Sequence, residues 1–228
     1  MTGPQLVRFS GLTVMVGGAV SFLQILFSSL AYSGNDPTPY VKNPVWAATQ
    51  LIGVAAVLLV VVGIPGVYAS RADRTGLMGL IGLVSIAITG LMFPFFFGLV
   101  SVMIFPWLVD KAPALVSGNN SGPPAFFIFF IAGSVIQVVG TALLAILFIR
   151  GRLLPRWIGF VFAASAILAV VGFFLSGPNG PSNILINLIS NLGPVLLLAG
   201  LSYIGYQTWS AARAAPSLAT QAEVPVTT

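Results

Sequence analysis

Long apolar runs separated by short polar stretches set the pattern of this chain. A helix needs about 20 mostly apolar residues to cross a hydrocarbon core of about 30 Å. Six runs meet that length, from about Phe9 to Tyr32, Val45 to Ala69, Gly76 to between Phe97 and Trp107, Ala125 to Ile149, Leu154 to Leu175, and Asn183 to Tyr206. Barrel strands would be shorter and would alternate polar with apolar, so each run predicts a helix. The expected fold is all-α, a polytopic transmembrane helix bundle of six spans over residues 1–210. Residues 211–228, polar and rich in Ala, Pro and Thr, read as a disordered tail.

The third run is the irregular one. A straight helix from Gly76 to Trp107 would be about 48 Å long. Phe93-Pro94-Phe95-Phe96-Phe97-Gly98 interrupts it. Proline removes a backbone donor and clashes with the preceding turn, which predicts a kink near Pro94. The part beyond, up to Pro106, then tilts, projects or lies in the interface. Asn191-Leu192-Gly193-Pro194 predicts a bend in the sixth span by the same reasoning.

Composition agrees with burial in lipid. Hydrophobic residues make up 57 % of the 228 and charged ones 6 %, against about 25 % charged in a soluble domain. The net charge of +5 is spread over short loops and not clustered as nucleic-acid binding requires. Arg8, Arg71, Arg74, Arg150, Arg152, Arg156 and Arg213 fall on one side of the spans, and only Lys42 and Lys111 on the other. The positive-inside rule then places both termini in the cytoplasm, which an even number of spans permits. The four tryptophans and five tyrosines fall at the ends of spans, as an aromatic belt does. The first run resembles a signal peptide in having Arg8 before it and Ser29-Leu30-Ala31 near its end. It exceeds the 7–15 residues of a signal core, so it is read as a span.

The loops 33–44 and 109–124 are rich in Gly, Pro, Asn and Ser and predict irregular structure. Asn119-Asn120-Ser121 matches a glycosylation sequon, read here as a polar loop with a chance match. The turns at Arg71-Ala72-Asp73-Arg74 and Arg150-Gly151-Arg152 are weakly alike. A duplicated hairpin and convergence on the chemistry of inside loops explain this about equally well.

The absent residue types exclude much chemistry. There is no cysteine and no histidine, so disulfides, thiol catalysis, Cys/His metal sites and histidine-based acid–base catalysis fall away. No charged residue lies in mid-span, where ion pathways and proton relays place theirs. Asp73, between Arg71 and Arg74, is expected to pair with them, while Asp36 and Asp110 are expected to be solvated in loops.

Uncharged amides are the candidates that remain. Asn183, Asn187 and Asn191 recur every four residues and share a helix face. Gln24 and Gln50 fall at similar depth, and Gln137 lies nearer the middle. An amide facing hydrocarbon leaves donors and acceptors unsatisfied, so these six should point inward. One reading is structural, with the amides bonding between helices. The other is an outer-half pocket for a neutral or zwitterionic small molecule or a lipid headgroup. Small residues at Gly76, Gly79, Gly82 and Ser85, and at Gly133, Gln137 and Thr141, predict ridges where helices approach closely.

The stretch Arg150-Gly151-Arg152-Leu153-Leu154-Pro155-Arg156-Trp157-Ile158-Gly159, leading into a Gly/Ala-rich helix, resembles a turn between spans four and five. That turn occurs in uncharacterised bacterial six-helix multi-pass membrane proteins of the domain-of-unknown-function type, common in actinobacteria and their relatives. The resemblance implies a bacterial inner-membrane location and supplies no activity. Expected partners are the lipid bilayer, a small neutral ligand or lipid, and another membrane protein, with no nucleic acid, cofactor or metal. The leading expectation is a binding or transport-related protein. The alternative is a non-catalytic accessory or structural subunit, and an intramembrane enzyme ranks third. Reporter fusions test the topology: at the C-terminus and near Arg152 they should report cytoplasm, and near Asn119 the outside. A C-terminal fusion active outside would overturn it.

Overall fold

The structure, a computed structural model, describes residues 3–32, 38–115, 124–151, 154–176 and 183–222, the side chains of 114, 124–127 and 215–222 excepted. The sequon at Asn119, Arg152 and Asp36 lie outside them. Helix α1 spans Gly3–Ala31, α2 Pro44–Ala69 and α3 Ala72–Gly90. A π-helical stretch, Leu91–Phe97, joins α3 to α4, Gly98–Met103, and α5 follows at Phe105–Lys111. A 3₁₀ turn at Pro113–Leu115 precedes α6 (Pro124–Gly151), α7 (Arg156–Ser176) and α8 (Ile184–Ala222). There is no strand among the described residues. Six helical stretches are long and apolar enough to cross a membrane, α3 and α4 counting as one. The protein is thus an all-helical, multi-pass membrane protein.

The six form a closed ring. In order around it stand α1, α2, α3 with α4, α6, α7 and α8, and α8 packs back against α1. Lipid offers helices no hydrophobic drive to associate, so close backbone approach at small residues must hold them. Five of the six interfaces have it. A Cβ at Gly17 of α1 would stand 2.6 Å from the Ala56 carbonyl oxygen of α2, and one at Gly11 2.5 Å from the Trp209 nitrogen of α8. A Cβ at Gly193 of α8 would stand 2.6 Å from Ala169 N of α7, and one at Gly172 of α7 2.7 Å from Ser190 Cα. A Cβ at Gly159 of α7 would stand 2.8 Å from Ile149 N of α6, and one at Gly82 of α3 3.2 Å from Gly140 O of α6. The ridge expected around Gly82 and Ser85 is therefore the α3–α6 contact. Along α2, Gly90 and Gly98 come nearest to side chains, those of Val57 and Val54, and the Gln50 carbonyl oxygen lies 3.6 Å from where a Cβ at Gly98 would stand.

All six helices send large side chains into one core. Val14, Val60, Ile64, Leu83, Leu144, Phe148, Ile158, Phe162, Leu201 and Ile204 belong to it. These positions lie in the halves of the helices nearer the arginines, here called the basic end. At the far end the rings of Phe27, Tyr32, Tyr40 and Trp46 follow one another at 5.2 to 6.0 Å between centroids, linking the end of α1 to the start of α2. Asn43 caps α2 by accepting from Val45 N, with Pro44 in the first turn. Lys42 forms an ion pair with Asp110 and so ties α5 to this corner. Asp110 is therefore paired, not merely solvated.

Three details differ from the sequence expectation. At Pro94 the helix widens into π-helical turns and continues into α4. A π register re-spaces the hydrogen bonds around the missing donor, which a kink would otherwise have to absorb. A second irregularity, unforeseen, lies at Gly76, with φ 52° and ψ −155°. It sets the turn Ala72–Thr75 apart from the helix beyond. The chain after Ser210, expected to be a disordered tail, continues as α8 to Ala222. Ala211, Ala212, Ala214 and Ala215 favour this, alanine being the strongest helix former.

Two glycine substitutions should destabilise the ring for different reasons. Gly11→Val forces a side chain into the backbone of α8, and overpacking of this kind costs about 1–3 kcal/mol. Gly76→Ala meets nothing within 4 Å, yet holds a non-glycine residue at a conformation that costs about 1–3 kcal/mol. Both should lower the thermal midpoint in detergent, while Gly3→Val, also in open space, should leave it unchanged.

Candidate functional site

Hydroxyls within the spans mostly bond to their own helix. Thr49 donates to Val45 O at 2.8 Å, Thr75 to Arg71 O at 3.0 Å, Thr89 to Ser85 O at 3.1 Å and Thr208 to Ile204 O at 2.9 Å. This back-bonding satisfies the donor without a neighbour. Across helices, Ser165 of α7 donates to Gly193 O of α8 at 2.7 Å, and Ser176 and Ser190 bond at 2.8 Å. These cross-links sit beside the glycines that bring α7 and α8 together.

The asparagines have distinct roles. Asn187 is 8 % exposed and donates to Ser29 O at 3.1 Å and Tyr32 O at 3.4 Å. Those carbonyls belong to the end of α1, where a helix runs out of its own donors. Asn191 donates to the Asn187 carbonyl at 2.8 Å and to its Oδ1 at 2.9 Å. Asn183 lies apart. It is exposed and precedes α8, and its Oδ1 accepts from Ile186 N at 2.9 Å as an N-cap does. Gln24 lies over Gly53 in the α1–α2 interface and donates to Ser28 Oγ at 3.0 Å.

Four of the polar groups that lack a hydrogen-bond partner among the described residues stand out. Ser21, 5 % exposed, and Thr141, 1 % exposed, carry buried hydroxyls bonded to nothing. The amides of Gln50 and Gln137, both half-buried, are the other two. Ser21 lies one turn beyond Gly17 and Gly18, which face α2 and α8, and so points between them into the ring. Thr141 lies between Gly140, which faces α3, and Ala145, whose carbonyl faces α7. Gln137 is one turn further toward the far end on the same strip. Helices α1 and α6 are opposite members of the ring. Ser21 and Thr141 thus stand on opposite members of the ring, with groups that donate and accept without charge. In sequence, Thr141 and Gln137 read as part of a packing ridge, and nothing singled out Ser21.

At the basic end stands a residue that the sequence placed in a loop. Arg71, between α2 and α3, turns inward and donates to Thr208 Oγ1 of α8 at 2.7 Å. Burial pushes its pKa below the ordinary arginine value, though arginine stays charged in proteins. It closes a crevice of about 20 Å³, lined by Tyr68, Thr75, Leu83, Phe148 and Ile204 among others. That is room for about one water. A shallower hollow of about 370 Å³ lies outside it, between Ser70, Arg71, Asp73 and Arg74. The expected pairing of Asp73 with its neighbouring arginines does not occur among the described residues. Asp73 is exposed in the first turn of α3, where a carboxylate suits the helix N-terminus, while Arg71 bonds to Thr208 of α8. Neither cavity includes any of the six amide residues.

Asn187→Leu removes the tie between α8 and the end of α1. It should lower stability by about 1 kcal/mol, as other interhelical polar bonds do. Asn183→Ser keeps a cap and should unfold at the same temperature as the native chain. No protein-family model matches this sequence, and comparison with curated proteins and with solved structures found no match.

Proposed function

We propose that the ring interior binds a small neutral or zwitterionic polar molecule, or the headgroup of a lipid, entering from the far end. In this reading the protein lies in a bacterial inner membrane with both termini in the cytoplasm. It is a binding or transport-related protein, and its fourth-to-fifth span turn resembles that of uncharacterised bacterial multi-pass membrane proteins, which supplies no activity of its own. The observation that carries the reading is the pair of buried, unpartnered hydroxyls at Ser21 and Thr141. Most other hydroxyls in the spans bond to a carbonyl or to a hydroxyl of a neighbouring helix. Ser21 and Thr141, on opposite sides of the ring, each carry an unmet hydrogen bond, which costs about 1–3 kcal/mol when left unmade. A polar guest that bonds both would offset that cost. Gln137 and Gln50 add amides facing the same way, and Asn187 and Asn191 form part of the wall.

The accessory-subunit reading draws on a different observation, the engagement of the Asn187 amide by the end of α1 and by Asn191 of its own helix. The two readings part on whether water reaches Gln137. The chain has no cysteine, so single cysteines can be introduced directly. With a charged, membrane-impermeant methanethiosulfonate reagent added from outside, Gln137→Cys and Thr141→Cys should be modified. Val139→Cys, which faces lipid at 48 % exposure, should not. Inert Gln137→Cys and Thr141→Cys variants that still fold would mean a dry interior and would favour the accessory subunit.

A further inference from the structure

We infer that Arg71 and the hollow beside it form a binding site for a phosphate oxyanion, separate from the interior site proposed above and independent of it. A guanidinium carries five N–H donors. Arg71 uses one, toward Thr208, and the other four meet no partner among the described residues. A desolvated cation seeks a counter-charge more strongly than an exposed one. Asp73, the nearest carboxylate in sequence, leaves Arg71 without an ion pair, so the hollow keeps two arginines against one acid.

The surroundings fit an oxyanion. Ser70 and Arg74 border the hollow on its open side, and the Tyr68 ring lines the crevice behind Arg71. Arginine binds phosphate through a planar fork of two parallel N–H bonds. The Thr208 contact holds that fork in place. The hollow lies at the level of Trp157, Tyr206 and Trp209, the aromatic residues of the basic end. Such rings mark the depth of lipid headgroups. A lipid phosphate therefore reaches this site by lateral diffusion, while inorganic phosphate reaches it from water. The chemistry recognised is the same.

Native mass spectrometry of the purified full-length chain tests this, with phosphatidylglycerol and phosphatidylcholine supplied at equal concentration. The native chain should retain phosphatidylglycerol in preference. Arg71→Gln should weaken that retention about tenfold, as loss of a charge-assisted hydrogen bond does. Arg71→Lys should fall between, because an ammonium carries the charge without the fork. Arg213→Gln, at the same end but stacked on Trp209, should behave as native. Inorganic phosphate, compared with chloride at equal ionic strength, separates the sources. If it raises the thermal midpoint of the native chain and not of Arg71→Gln, the site takes the free ion too. If only the lipid does so, the headgroup is the ligand. No preference by the native chain for either phosphate source would overturn the proposal, as would equal retention by Arg71→Gln. Where Arg71→Gln does not fold, Arg74→Gln, exposed in the same hollow, takes its place. It should weaken retention by a smaller factor, and native-like retention there would count against the site.

Discussion

Close contact between helix backbones at glycine is what the rest of this structure depends on. Lipid tails are as apolar as leucine side chains, so burying leucine between spans gains little. Dispersion remains, and it fades within an ångström of the optimum separation. Helices must therefore touch along their lengths, and a side chain at the crossing prevents that. Gly11, Gly17, Gly82, Gly159, Gly172 and Gly193 each put one helix against the backbone of the next. Because these contacts lie between neighbours, they fix a ring and leave the axis to whatever side chains point inward. At the basic end those are Leu, Ile, Val and Phe, which fill it. Further along, Ser21 and Thr141 are buried with no hydrogen-bond partner among the described residues.

The polar atoms then divide by the partner that the ring makes available. Most hydroxyls fall back on their own helix, the least demanding solution, since the carbonyl is always one turn away. A second group sits where two backbones are close enough to bond across, as Ser165 does at Gly193. Asn187 belongs to this group, and its partners are the terminal carbonyls of α1 rather than a side chain. The third group has no partner among the described residues. Buried polar atoms without partners are few in native proteins and call for a physical reason. Here Ser21 and Thr141 stand on opposite members of the ring.

The sequence was legible where chemistry depends on period and composition, and silent where it depends on which surfaces meet. Six spans follow from run length alone, and the observed helices agree. The asparagine stripe shows the limit of periodicity. Spacing by four rotates each residue about 40° from the last, and the argument assumes that all three residues are helical. Asn183 precedes the first residue of α8, so it caps the helix instead of sharing its face. Pro94 announced an irregularity but not its form, because a kink and a π register both accommodate a missing donor. Arg71 read as a topology signal, since nothing local distinguishes an arginine pointing to water from one folded over the ring toward Thr208. Gly76 gave no sign of its positive φ, glycine being ordinary in spans.

The distribution of charge limits what the interior can hold. Ser21, Thr141 and Gln137 donate and accept, but none can neutralise an ion. A bare charge at that depth would face the several kcal/mol of desolvation that real proteins impose, with only dipoles to offset it. Beyond them lies an apolar plug in which Leu144, Phe148, Phe162 and Leu201 are buried. Behind the plug stands the Arg71 cation, which repels cations approaching along the axis. An anion would meet no counter-charge until it had crossed the plug. A molecule without net charge meets neither obstacle at mid-depth, and the plug still stops it there. In the reading proposed above, the plug makes the interior a pocket closed at the basic end and not a pore.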